Sequence, residues 1–139
     1  MKFALCNEVF QHLSLEDGFS RIAEIGYQGV EIAPFTLKEN PLEIEENDAD
    51  RCIEAAKSAG IEIVGLHWLM AKTEGLHLTH PDEGMRSAAC EYLKKLTLLT
   101  ARMGGDTMVL GSPQQRNLKP GTPYEVAFER AVTIIPVSY

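Results

Sequence analysis

GVEIAPF (residues 29–35) and GIEIVGL (residues 60–66) open on near-copies, Gly29-Val30-Glu31-Ile32 and Gly60-Ile61-Glu62-Ile63. Each follows an amphipathic stretch that ends in glycine, and each reads as an apolar strand. Before the first copy, Ser14 stands as a helix cap with Asp17 three residues later, a capping-box spacing. Phe19, Ile22, Ala23 and Gly26 then fall at helical steps, and the turn Gly26-Tyr27-Gln28-Gly29 closes that helix. The strand Gly29–Ala33 is stopped by Pro34. Before the second copy, a helix begins around Asp48 with Ala49, Cys52, Ile53 and Ala56 on one face, and Gly60 ends it. The strand Ile61–His67 follows.

Working outward, the same unit recurs twice more. Lys2–Asn7 is a short apolar run ahead of the first helix. A third helix is expected after His80-Pro81, with proline in its first turn. Its stripe of Met85, Ala89, Tyr92, Leu96, Leu99 and Met103 moves in steps of four and three. Gly104-Gly105 ends it and Thr107–Leu110 is the fourth strand. Thr122-Pro123-Tyr124-Glu125 opens a fourth helix, through Ala127–Ala131, which runs towards a break at Pro136.

Four strand–helix units with apolar strands imply parallel strands covered by helices. Two architectures satisfy this: an open doubly wound sheet, or part of a (β/α)8 barrel. Asn7-Glu8-Val9-Phe10 stands where a glycine-rich phosphate fingerprint would follow the first strand. A complete barrel needs about 200 residues or more, so under the second architecture 139 residues would supply a (βα)4 half, one domain over residues 1–139 that stops within its fourth helix; periodicity alone does not choose.

Composition bounds the rest. With 45% hydrophobic and 24% charged residues the chain is that of a globular protein. A net charge of −7 argues against a nucleic-acid backbone or an anionic membrane as partner. The apolar run Phe3–Cys6 is too short for a signal peptide, and no stretch is long enough to span a bilayer. Cys6, Cys52 and Cys90 are odd in number and widely spaced, which fits reduced thiols in a cytoplasmic protein.

Four strings decide between the architectures: GYQGVEIAPFT (26–36), GIEIVGLHWLM (60–70), GLHLTHPDEGMR (75–86) and MVLGSPQQRN (108–117). Taken in order, they resemble the sugar phosphate isomerase/epimerase family, the xylose-isomerase-like (β/α)8 barrels. The resemblance runs from Met1 to about Ala131. It implies aldose–ketose isomerisation or ketose epimerisation of a small sugar or sugar phosphate, with a divalent metal (Mn²⁺, Mg²⁺ or Zn²⁺). It also implies that the metal cage and the pair of glutamates that moves protons lie on strands five to eight. No catalytic residue is therefore expected in this chain, which would be inactive alone; for a metal it offers His67 as a weak candidate ligand.

In such barrels the site gathers at the carboxyl ends of the strands. That rule selects Asn7, Glu8, His67, Trp68, Ser112 and Arg116 as substrate-binding candidates. His67 ends an apolar strand, and the resemblance implies that it points at substrate or, in one branch of the family, at a metal. Trp68 offers a flat face to a sugar or closes the core beneath its loop. The Gly111–Asn117 loop supplies close backbone approach and the Arg116 fork of donors for a phosphate or carboxylate. Glu31, in mid-strand, reads as structural. His77 and His80, three apart in a loop, are assigned to the loop and a helix cap in place of a metal pair, and His12 has no partners. The acidic run Glu43–Asp48 reads as a solvated approach to the second helix. Open edges on the first and fourth strands point to a homodimer that completes the ring. That self-assembly defines the expectation competing with an enzyme half, a non-catalytic half-barrel with a structural or ligand-binding role.

Overall fold

The computed structural model describes residues 1–134; the expected break at Pro136 lies outside them. Strands β1 (Ala4–Cys6), β2 (Gly29–Ile32), β3 (Glu62–His67) and β4 (Thr107–Val109) alternate with helices α1 (Leu15–Ile25), α2 (Glu46–Ala59), α3 (Glu83–Arg102) and α4 (Tyr124–Ile134). All strand pairs are parallel, and the sheet order is β1-β2-β3-β4. Among the described residues the order never reverses, so they hold no switch point of the kind that defines a doubly wound sheet. Sequential winding in one direction is that of a barrel wall, and four strands make half of one. Among the described residues, no helix is long and apolar enough to cross a membrane.

The helix ends follow local chemistry. Ser14 Oγ accepts from the Asp17 N–H at 3.1 Å, and Gly26 closes α1 at φ 103°. The start of α2 lies slightly earlier than its apolar face suggests. Glu45 is the cap, and Asp48 Oδ2 accepts from the Glu45 N–H at 2.9 Å. Part of the acidic run is therefore capping structure. For α3 the cap is Asp82, whose Oδ1 accepts from the Met85 N–H at 3.1 Å, so Pro81 lies before the helix and not in its first turn. The expected stripe holds from Ala89 onward: Ala89, Tyr92, Leu96, Leu99 and Met103 are buried, and Met85 at its start is half-buried.

One face of the sheet packs against the helices through Leu5, Val30, Ile32, Ile63, Leu66 and Met108, with Phe19, Ile22, Cys52 and Leu96 behind them. The other face is the wall of the barrel lumen. A slip in the β2–β3 ladder decides which residues reach it: Val30 pairs with Ile63, but Glu31 pairs with Gly65, leaving Val64 as an extra residue. Side chains alternate with a period of two, so one inserted residue reverses the faces beyond it. Without the bulge His67 would share the helix-facing side with Ile63. With it, Leu66 goes into the core and His67 turns to the lumen.

The bulge requires glycine. A Cβ on Gly65 would sit 1.8 Å from the Thr107 carbonyl oxygen, and one on Gly105 would sit 2.9 Å from Gly65 Cα. Gly65→Ala is therefore expected to force β3 and β4 apart and to cost about 3 kcal/mol, read as a lower urea midpoint with an unchanged slope.

Candidate functional site

The loops that follow the strands are tied together before they carry any site. Asn7, buried after β1, accepts from the Ala33 N–H at 2.9 Å and donates to Thr36 Oγ1 at 2.7 Å. Ser112 is 1% exposed, and its Oγ accepts from the Met70 N–H at 2.9 Å. Both had been expected to face substrate. Each instead serves the backbone of the neighbouring loop, because a buried N–H beyond the end of a ladder needs an acceptor. Gln115, singled out by nothing except its place in a polar loop, does similar work. Its carbonyl accepts from the Leu78 N–H at 2.8 Å and its Nε2 donates to the Thr73 carbonyl at 3.3 Å.

With the loops fixed, the lumen wall carries one polar constellation. Cys6, Glu31, Gly65 and Thr107 form a row across the four strands, and His67 stands above Gly65. His67 Nδ1 lies 3.0 Å from Glu31 Oε2, with the two side chains 27% and 26% exposed. The approach lies off the ring N–H direction, so Nδ1 has no well-aligned hydrogen-bond partner. The carboxylate nevertheless favours the proton on Nδ1, which leaves Nε2 as an acceptor towards the lumen. Glu31, read from the sequence as structural, is thus the nearest partner of the best sequence candidate. The signal available was Gly65 inside a strand pattern, a mark of a bulge.

Trp68 adjoins the pair. Its ring meets that of His67 edge-on, with centroids 5.7 Å apart, and Gly111 lies against its benzene ring. It is half-buried at φ 57°, a conformation that costs a bulky residue about 1–3 kcal/mol. Trp68, Lys72, Ser112, Gln114 and Gln115 line an open hollow beside it, and Lys72 Nζ reaches 4.2 Å from the centre of the Phe35 ring. Glu8 is half-exposed on the turn after β1, and Arg116 is exposed on the loop after β4. Neither meets the Glu31–His67 pair.

The thiols are quiet: burial pushes Cys6 up to about 11 and Cys52 up to about 12. His77 is 3% exposed, and its Nδ1 accepts from the Thr79 N–H at 3.2 Å. His80 Nδ1 accepts from the Asp82 N–H at 3.0 Å. These bonds occupy the lone pairs that a metal would need on that side. Among the described residues no three of His, Cys, Asp and Glu gather as a ligand set. Glu31 and His67 give two donors, one short of the three protein ligands of a catalytic zinc; the residues present do not by themselves fit a metal centre.

A family model described as xylose isomerase-like TIM barrel matches residues 19–135. The chain belongs to that family. Among solved structures, this family member is similar to D-psicose 3-epimerase, crystallised in the presence of D-fructose, with a TM-score of 0.69 at 17% identity. The match covers 97% of this chain and 46% of the epimerase, so the chain spans about half the length of that barrel. At this identity the likeness establishes the fold. No curated protein matches the chain.

Two outcomes check this geometry. Asn7→Ala strands the buried Ala33 N–H and is expected to lower stability by about 1–3 kcal/mol in chemical denaturation. Burial, Lys119 and His80 hold the His77 pKa below its ordinary value of 6.5. The unfolded chain then binds the extra proton first, so this contribution is intact above about pH 6.5 and is lost as pH falls through the folded value. His77→Asn, whose side-chain oxygen can keep the Thr79 bond, is expected to lose less stability than the parent between pH 7 and pH 5.

Proposed function

We propose that this chain supplies the substrate-binding wall of a sugar or sugar phosphate isomerase/epimerase, in which a proton moves between adjacent carbons of an aldose or ketose. The observation that carries this reading is the Glu31–His67 pair turned to the lumen beside the edge of Trp68. A carboxylate, an imidazole and a flat indole together suit a polyol, because hydroxyls meet the polar pair and a C–H face lies on the ring. Family membership supports the reaction class, and the epimerase likeness supports the geometry of the wall. In this reading Glu31 and His67 hold substrate hydroxyls, while Glu8 and Arg116 meet it from the rim, Arg116 as a fork for a phosphate. The metal (Mn²⁺, Mg²⁺ or Zn²⁺) and the proton-transfer groups are supplied by residues outside this chain.

Trp68 is the sole tryptophan, so its fluorescence reports on the site directly. Titration with D-fructose and D-psicose is expected to give a saturable change. His67→Ala and Glu31→Gln should each weaken it about tenfold, ~1.4 kcal/mol. With Mn²⁺ present, the chain by itself is expected to epimerise neither sugar. A fluorescence signal that is blind to ketose, or unchanged in both variants, would rule out this wall as the sugar site.

A further inference from the structure

Among the described residues two that are not glycine hold a positive φ, Trp68 at 57° and Lys72 at 59°. Both stand on the loop that follows β3, and both border the same open hollow. A left-handed backbone costs energy for any residue with a side chain. It persists where the surroundings impose it, as they do at ligand clamps. Here the surroundings are hydrogen bonds. The Ala71 N–H returns to the Trp68 carbonyl at 2.9 Å, Ser112 Oγ holds the Met70 N–H, and Gln115 Nε2 holds the Thr73 carbonyl. The loops after β3 and β4 are thereby tied together, and the hollow lies between them.

The chemistry of that hollow is one-sided. No acidic residue lines it, in a chain whose net charge is −7. Among the described residues no ion pair involves Lys72. Its Nζ sits 4.2 Å from the centre of the Phe35 ring, a contact that holds an ammonium in place without neutralising it. Ser112 Oγ accepts from Met70, and among the described hydrogen bonds its own hydrogen is given to no acceptor. Gln114 adds an exposed amide. A cation, a hydroxyl hydrogen and an amide, with no carboxylate among them, suit the oxygens of an anion.

The hollow also adjoins the sugar wall, because Trp68 belongs to both: its ring meets His67 edge-on at 5.7 Å. We propose that the hollow is an oxyanion subsite in which Lys72 selects a ketose with an anionic end, phosphoryl or carboxylate, over the neutral sugar. Ser112 and Gln114 supply the further donors, and Arg116, outside the hollow, meets the same ligand from the rim. The sugar part of this inference rests on the reading of Glu31 and His67 given above. The anion is held by different side chains, so the two fail separately.

The test is titration of Trp68 fluorescence with D-fructose, D-fructose 6-phosphate and D-fructuronate, which differ only at carbon six, and with inorganic phosphate. At least one of the two anionic ketoses is expected to bind about tenfold more tightly than D-fructose; which one does so identifies the anionic group. Lys72→Met keeps an unbranched stem and removes the charge. It should bring the ratio of anionic to neutral affinity to about one and abolish the response to inorganic phosphate, with the circular dichroism spectrum retained. Lys72→Arg should keep most of the preference. In the parent the preference should shrink at about 1 M salt, where the Debye length is about 3 Å. Anionic ketoses no tighter than D-fructose, a preference indifferent to salt, or a Lys72→Met variant that keeps it would each overturn the subsite and leave the sugar wall standing. A Lys72-dependent response to inorganic phosphate in a chain blind to ketose supports the subsite and ends the sugar reading alone.

Discussion

The approach of Gly65 to the Thr107 carbonyl is the tightest that any described glycine makes. It allows β3 to carry an extra residue while keeping its ladder to β4. Everything chemical on the lumen wall depends on that residue. A regular β3 would bury the His67 imidazole among the helices, where an unpaired polar group costs several kcal/mol, and would turn Leu66 to the lumen. The bulge therefore serves the core and the site together: Leu66 fills the helix-facing layer, and His67 arrives beside Glu31.

Much of the fold is legible in residues 29–35 and 60–66 because their chemistry is local. Glycines at φ 103° and 69° end the first two helices, and apolar runs flanked by such ends have few alternatives. Strand order is not local, and composition leaves it open; the likeness of four strings to a barrel family settles it. Boundaries move where the capping side chain is not the one the pattern suggests. Glu45 starts α2 earlier than its apolar face begins, Asp82 starts α3 later than the expected proline, and both look like ordinary solvated acids in the sequence.

The site is less legible, for a physical reason that Asn7 and Ser112 share. Beyond the end of a parallel strand, the chain presents polar side chains to two customers, a ligand in the lumen and the unpaired N–H groups of the next loop. The two uses demand the same residue types. Ala33 and Met70 need acceptors, and Asn7 and Ser112 supply them, so these candidates become the braces that set the rim on which Glu8 and Arg116 sit. Glu31 is the opposite case, because its need for a partner is legible but the partner is not. A carboxylate in mid-strand suggests a structural pair, and the pair exists, but its partner is the histidine whose facing the bulge alone decides.

A wall is a poorer place for chemistry than a lumen. Glu31 and His67 are each about a quarter exposed, so water competes for their contact, and a contact between a carboxylate and an imidazole strengthens once water is excluded. Enclosure also matters for a polyol, whose hydroxyls gain little from hydrogen bonds that merely replace those to solvent. In the proposed reading the residues on this half of the barrel orient a sugar, and discrimination between neighbouring carbons requires contacts from the opposite side and a water-poor interior. Four strands position the groups, and only a closed ring gives them the dielectric in which their geometry has chemical consequence.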